Sequence, residues 1–138
     1  MANALYPLFK QELLKGTAAN LLNSAEGATG VFAALVDTGL YTYSAAHQFY
    51  SSLAGVVGTD QEILTKTQAL GVFDGTDVTF PAVTGASVEA IVLYRKNAGA
   101  NTTWPLIAYI DAGVTGLPVT PNGGNIVATW NASGIFQL

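Results

Sequence analysis

The chain has no cysteine, one histidine and one methionine in 138 residues, with five basic residues against nine acidic ones. Without cysteine, disulfides, thiol nucleophiles and thiolate metal sites are excluded, and stability owes nothing to redox compartment. Charged residues make up 10% of the chain, against about a quarter in a typical globular protein. The net charge is −4, and the only basic cluster is Arg95-Lys96. Phosphate neutralisation needs Lys and Arg, so nucleic-acid packing is not the expected task. The stretches Thr38 to Thr59 and Ala112 to Leu138 carry no formal charge. Polar residues and Gly interrupt both, so neither is a continuous apolar run of bilayer length. The N-terminus also lacks the basic start and unbroken apolar core of a signal peptide. The expectation is a protein made and assembled in the bacterial cytoplasm, without a membrane partner.

Half of the residues are hydrophobic, and 138 residues are enough for one domain with a sizeable core. A soluble monomer normally carries more surface charge than this. Two readings stay open: a polar but uncharged surface of Thr, Asn, Gln and Ser, or a surface largely buried in an assembly.

The C-terminal third is the most regular part. Ser87 to Arg95 alternates Val88, Ala90, Val92 and Tyr94 on one face with Glu89, Ile91, Leu93 and Arg95 on the other, a strand period. Trp104 to Asp111 reads as a second strand entered at Pro105, since proline cannot donate to an interior ladder. Leu117–Thr120 and Asn125–Trp130 flank Pro121-Asn-Gly-Gly124, which predicts a hairpin because Asn-Gly readily takes positive φ. Ile135 to Leu138 is apolar enough to be pinned in a sheet.

Upstream, Asn3 to Lys15 predicts a helix, with Asn3 as N-cap, Pro7 in the first turn and Gly16 as the stop. Leu5, Phe9 and Leu13 fall on one stripe, either as a core face or as a docking arm formed by residues 1–16. Thr17 to Asn23 is a further helical turn or a continuation, and Ser24 to Gly30 is a loop. Val31 to Asp37 is apolar on both faces, which predicts a central or covered strand. Ala45 to Leu53 reads as a short helix, Gly55–Gly58 as a turn or short strand, and Glu62–Thr67 as a weak strand. Val72-Phe73 and Val78–Phe80 flank the turn Asp74-Gly-Thr-Asp77. Short strands at regular spacing with Gly-rich turns predict an all-β sandwich or jelly-roll-like barrel carrying a short N-terminal helix, in one domain over 1–138.

Few residues suggest chemistry. Asp74 and Asp77 are the one close carboxylate pair in a turn. A metal would need further oxygen ligands, whereas turn aspartates commonly hydrogen-bond nearby backbone. His47 could pair with Asp37 or Asp111 near Ser51 and Ser52, but no Gly-x-Ser-x-Gly elbow is present; a structural histidine is the simpler expectation. Glu89 and Arg95 share a nominal strand face, and if another subunit covers it Glu89 needs a partner. Trp104, Trp130 and the six tyrosines, Tyr109 among them, offer either a sugar platform or core and interface anchors. Asn101-Thr-Thr and Asn131-Ala-Ser fit the glycosylation pattern and are read as turns. No phosphate loop, dinucleotide fingerprint or zinc ligand set is present. No catalytic residue, cofactor or metal is expected.

Several motifs resemble, in order along nearly the whole chain, a family of small proteins of tailed bacteriophages encoded among virion structural genes. They are Ala34–Thr38, Tyr41-Thr42, His47-Gln-Phe49, Asp77–Phe80, Leu106–Asp111, Thr115–Gly124, Trp130 and Ile135–Leu138. The resemblance implies a virion structural protein and assigns His47 no catalysis. The expected role is a capsid decoration (cement) protein, a homo-oligomer for which a trimer is one arrangement, with the major capsid protein or other virion proteins as partner. The alternatives are a neck, tail or baseplate component, or a carbohydrate- or receptor-binding virion module using Trp104, Tyr109 or Trp130. Expected interface residues are Leu5, Phe9, Leu13, Glu89, Arg95, Trp104 and Trp130.

Overall fold

The computed structural model describes residues 3–27 and 29–138. Residues 1 and 2 of the expected arm, and residue 28 of the expected loop, lie outside them. Among the described residues, ten strands and one α-helix follow in chain order: β1 (Ala4–Leu5), α1 (Pro7–Leu14), β2 (Val31–Val36), β3 (Val56–Glu62), β4 (Thr67–Ala69), β5 (Val72–Asp74), β6 (Val78–Phe80), β7 (Ala90–Arg95), β8 (Leu106–Ile110), β9 (Ile126–Ala128) and β10 (Phe136–Gln137). Three antiparallel sheets result, with orders β1-β8-β7-β2-β3, β10-β5-β4 and β6-β9. The protein is therefore mostly antiparallel β with one short helix.

The five-stranded sheet centres on β2 and β7, which pair along six consecutive positions from Val31↔Arg95 to Val36↔Ala90. Every residue from Ala90 to Tyr94 and from Leu106 to Ile110 is buried. The face that carries Glu89 and Arg95 is mixed, with these two half-buried at its ends and Ile91 and Leu93 fully buried in its middle. Both faces of the sheet are therefore covered, which is why β2, β7 and β8 read as continuous apolar runs. One face carries Phe32, Ala34, Val92, Tyr94 and Tyr109, with Phe32 opposite Tyr94 and Ala34 opposite Val92. The long connection 37–55 crosses this face, and its Tyr41 and Tyr43 rings lie 6.4 and 5.7 Å from that of Tyr109. The other face carries Leu35, Ile91, Leu93 and Ala108 and belongs to the same buried cluster as Ile63, Phe73, Val78, Phe80 and Ala128.

The N-terminus departs from expectation. Residues 4 and 5 form an edge strand on β8, with Leu5 opposite Ala108, so Leu5 is not on the helix. The helix starts at Pro7, with Tyr6 as N-cap. Asn3 does not cap it; the Asn3 Oδ1 accepts the Asp111 and Ala112 N–H groups at 2.8 and 2.9 Å, clamping the end of β8. Sheet pairing satisfies backbone groups that a first helical turn leaves unpaired, which favours the later start. The helix stop is as expected. Gly16 has φ +73°, its N–H bonds Leu13 O, and the Thr17 N–H reaches Glu12 O, the reciprocal pattern of a left-handed C-terminal cap. A 3₁₀ turn follows at Ala18–Asn20.

Three other expectations fail. Ala45–Leu53 is not an α-helix. Phe49 bridges Pro105 and only Tyr50–Ser52 form a 3₁₀ turn, because the segment's backbone is used by the entry to β8: Tyr50 N–H donates to Trp104 O and Leu106 N–H to Gln48 O. The Leu117–Thr120/Asn125–Trp130 hairpin does not form either. β9 pairs with β6, while Val119 bridges Val88 and Thr115 bridges Thr129. Gly123 does take positive φ, at +88°. The turn signal was sound, but each flanking strand found a distant partner. The stretch Glu62–Thr67 is likewise split between the end of β3 and the start of β4. The expected pinning of Ile135–Leu138 is found, as β10 on β5.

Tyr6 and Phe9 are 0% and 1% exposed. Truncating a buried aromatic costs about 3–5 kcal/mol, against a total stability of about 5–15 kcal/mol for a domain. Deleting residues 1–16, which also removes β1, is expected to abolish cooperative unfolding in a urea titration. A sharp transition in the truncated chain would show the N-terminus to be dispensable for folding.

Candidate functional site

Two surface regions combine exposure with an unusual residue set. The first is a groove between α1 and β10. Leu5, Lys10, Leu13, Leu14, Gln137 and Leu138 enclose about 380 Å³. Leu14 is 90% and Leu138 62% exposed, and Leu70, in the β4–β5 turn, is 97% exposed. The Leu138 N–H donates to Gly71 O at 2.9 Å, so the β4–β5 turn carrying Leu70 adjoins the Leu138 end of the groove. Lys10 is the one charged residue lining it. Phe9, expected on the same surface, is a core residue instead.

The second region is an aromatic pocket of about 360 Å³ at the edge of the five-stranded sheet. It is built on a bulge. Ala33 pairs with Gln61 and Leu35 with Val57, so two steps along β2 match four along β3. Gly58, with φ +73°, makes the extra length possible. The bulge brings Asp60 to the aromatic face of the sheet. There the Tyr50 and Tyr94 hydroxyls both donate to Asp60 Oδ2, at 2.9 and 2.8 Å. Tyr94 stacks on Trp104 at 5.8 Å and on Phe32 at 5.9 Å, and Tyr50 meets Tyr94 edge-on at 4.5 Å. The Lys96 ammonium lies 5.3 Å from the Phe32 ring centre and 5.1 Å from that of Trp104, within cation–π range. The Trp104 indole N–H is shared between Asn97 O and Gly99 O.

Burial pushes the Asp60 carboxyl above its ordinary range, outweighing the two phenol hydrogen bonds and the Lys96 charge, which act in the opposite direction. Burial, reinforced by the Asp60 charge, likewise raises both phenols. The set can accept and donate hydrogen bonds beside an aromatic surface.

The remaining candidates are used structurally. Trp130 is 7% exposed and its indole N–H donates to Thr76 O; Tyr109 is 4% exposed. Both rings belong mainly to the buried cluster, although Trp130 and Tyr109 each also border a surface cleft. His47 Nδ1 lies 2.9 Å from the Tyr41 hydroxyl, which lies 2.8 Å from that of Tyr6. Asp37 Oδ1 accepts the Gly39 N–H, Asp74 Oδ1 that of Gly75 and Asp77 Oδ1 that of Trp130. Asn131 Oδ1 accepts the Ser133 N–H, and Asn101–Thr103 is a 3₁₀ turn, as read from their sequence. Glu89 accepts from the Thr38 N–H, the Thr38 hydroxyl and Ser87. Arg95 Nη1 donates to Ala18 O. Glu89 and Arg95 thus bond separate parts of their own chain rather than each other. Among the described residues no three His, Asp or Glu side chains group as a metal site would need, and no helix is long and apolar enough to cross a membrane.

Of the pocket, Trp104 and the tyrosines were named from sequence as a possible sugar platform and Lys96 as part of the basic pair, but Phe32 and Asp60 were not, and what brings Phe32, Tyr50, Asp60, the Tyr94–Lys96 segment and Trp104 together is strand pairing between distant segments. The available signal was Gly58 inside an otherwise strand-like run, which flags a bulge two residues before an aspartate. No protein-family model matches the chain, and no curated protein matches it.

The raised Asp60 carboxyl has a definite sign. It contributes stability that is fully present below the ordinary aspartate value of about 3.9 and is lost as pH rises through the raised value. Asp60→Asn keeps an oxygen for both phenols and carries no charge. Its urea midpoint is expected to rise relative to wild type from about pH 4 upward. A constant difference across that window would mean Asp60 titrates no differently in the folded and unfolded chain.

Proposed function

We propose that this protein is a non-enzymatic structural subunit of a tailed-phage virion, and specifically a head decoration (cement) protein that binds the major capsid shell as a homo-oligomer. The observation that carries this reading is the weakly charged groove of Leu5, Leu13, Leu14 and Leu138, continued by Leu70, on a chain with so few charges. Exposed large apolar side chains set close together mark docking surfaces. Burying one exposed leucine contributes about 1.5–3 kcal/mol, and repetition around an oligomer multiplies that modest energy. The ordered motifs resembling phage virion proteins point the same way. So does the use of the one histidine and of Asp37, Asp74 and Asp77 in structural hydrogen bonds.

In this reading the small sheets β10-β5-β4 and β6-β9 lie over the five-stranded sheet as the second layer of a sandwich. The support is that both faces of the central sheet are buried while the one α-helix among the described residues has eight residues. The subunit is made in the host cytoplasm and ends in the particle.

Copy number per purified virion, measured by quantitative mass spectrometry against the major capsid protein, tests the role. On the order of hundreds of copies is expected for a shell-coating oligomer. About a dozen or fewer would fit a symmetric collar, tail or baseplate ring instead, and absence would overturn the virion reading. The groove is tested with Leu14→Gln combined with Leu70→Asn, since Asn tolerates the Leu70 φ of +53°. The pair is expected to change stability by about 0.5 kcal/mol or less per site while abolishing oligomerisation and particle binding.

A further inference from the structure

The groove leaves the Asp60 pocket unused, and its chemistry is of a different kind. Five lining side chains arrive from separate parts of the fold: Phe32 from β2, Tyr50 from the 37–55 connection, Asp60 from the β3 bulge, Lys96 from beyond β7 and Trp104 from before β8. The volume of about 360 Å³ falls within the roughly 300–1,000 Å³ of small-molecule sites. Both phenols fasten Oδ2 of Asp60. Among the described residues its other oxygen has no hydrogen-bond partner and is not sealed from solvent, so it remains an acceptor for a ligand.

The charges narrow the ligand class. A cation entering the pocket would meet Lys96, which already lies over Phe32 and Trp104. An anion would meet the Asp60 carboxylate. A wholly apolar ligand would cover the carboxylate's remaining oxygen and the ammonium without supplying either a hydrogen bond, at a cost. A neutral ligand with an apolar face and adjacent hydroxyls satisfies all three constraints. Each hydroxyl both donates and accepts, matching an acceptor and a donor beside aromatic rings.

We propose that the pocket binds a neutral saccharide, one pyranose unit of a glycan. Its apolar ring face packs along the aromatic lining of the pocket, one hydroxyl donates to Asp60 and a neighbouring hydroxyl accepts from Lys96. The bulge at Gly58 is then the device that places the carboxylate. This site stands independently of the groove and of virion assembly, so either can fail alone.

The test uses the full-length chain with glucose, galactose, rhamnose and N-acetylglucosamine as probes, read by saturation-transfer NMR and tryptophan fluorescence. Tetramethylammonium, sulfate and adenosine are the comparison ligands. At least one sugar is expected to bind in the millimolar range, weakened about tenfold or more by Asp60→Asn and by Lys96→Met. Lys96→Met keeps most of the side-chain stem and removes the ammonium donor with its charge, so it carries the test if Asp60→Asn fails to fold. No sugar binding at millimolar concentrations, or binding indifferent to the foldable variants, would overturn the proposal. So would tighter binding of any comparison ligand than of every sugar.

Discussion

The pairing of β2 with β7 is the interaction on which the rest depends. Six consecutive residue pairs, from Val31↔Arg95 to Val36↔Ala90, join two strands that are buried almost throughout. Their register decides which side chains share a face, since a slip of one residue would exchange the two faces. With Phe32 opposite Tyr94 and Ala34 opposite Val92, one face becomes aromatic at the edge where β3 joins. With Leu35 opposite Ile91 and Ala33 opposite Leu93, the other face becomes aliphatic core. The β8 strand adds to β7, and residues 4 and 5 add to β8.

With so few charges, the polar groups that folding removes from water are matched mainly by neutral partners. Asn3 holds the end of β8, Tyr6 and Tyr41 share a hydroxyl contact that reaches His47, and Trp104 and Trp130 donate to backbone carbonyls. Asp60 is the exception. It is a carboxylate drawn into an aromatic setting by a backbone irregularity and held by two phenols. Disfavouring its charge costs stability, and such costs are commonly retained where a surface binds something. The leucine groove lies elsewhere, on α1 and β10, so among the described residues an apolar groove and a polar, aromatic pocket sit apart.

Much of the fold was legible wherever local pattern and environment agree. The apolar runs at Val31, Ser87 and Trp104 became the interior strands, and Gly16 ended the helix through its positive φ. Sequence was less informative where a segment had two uses for its backbone. Ala4-Leu5 has helical spacing with Phe9 and Leu13, yet pairing with Tyr109 and Ala108 satisfies its backbone as a strand. Asn122-Gly123 specifies a turn, but β9 pairs with β6, more than forty residues earlier in the chain.

What the sequence by itself determined is the class of structure and the chemistry ruled out. Alternating and continuous apolar runs dictate antiparallel sheets. The absent cysteine and sparse charge remove thiol chemistry and make phosphate neutralisation a poor fit. Tertiary structure alone decided which aromatics are almost fully buried and which stay half-exposed at a sheet edge. Trp130 and Tyr109 became buried, while Trp104 stayed at the edge beside Asp60. That choice depends on strand partners distant in sequence and on the Gly58 bulge, because the location of a side chain is set by what pairs and packs against its strand rather than by its immediate neighbours.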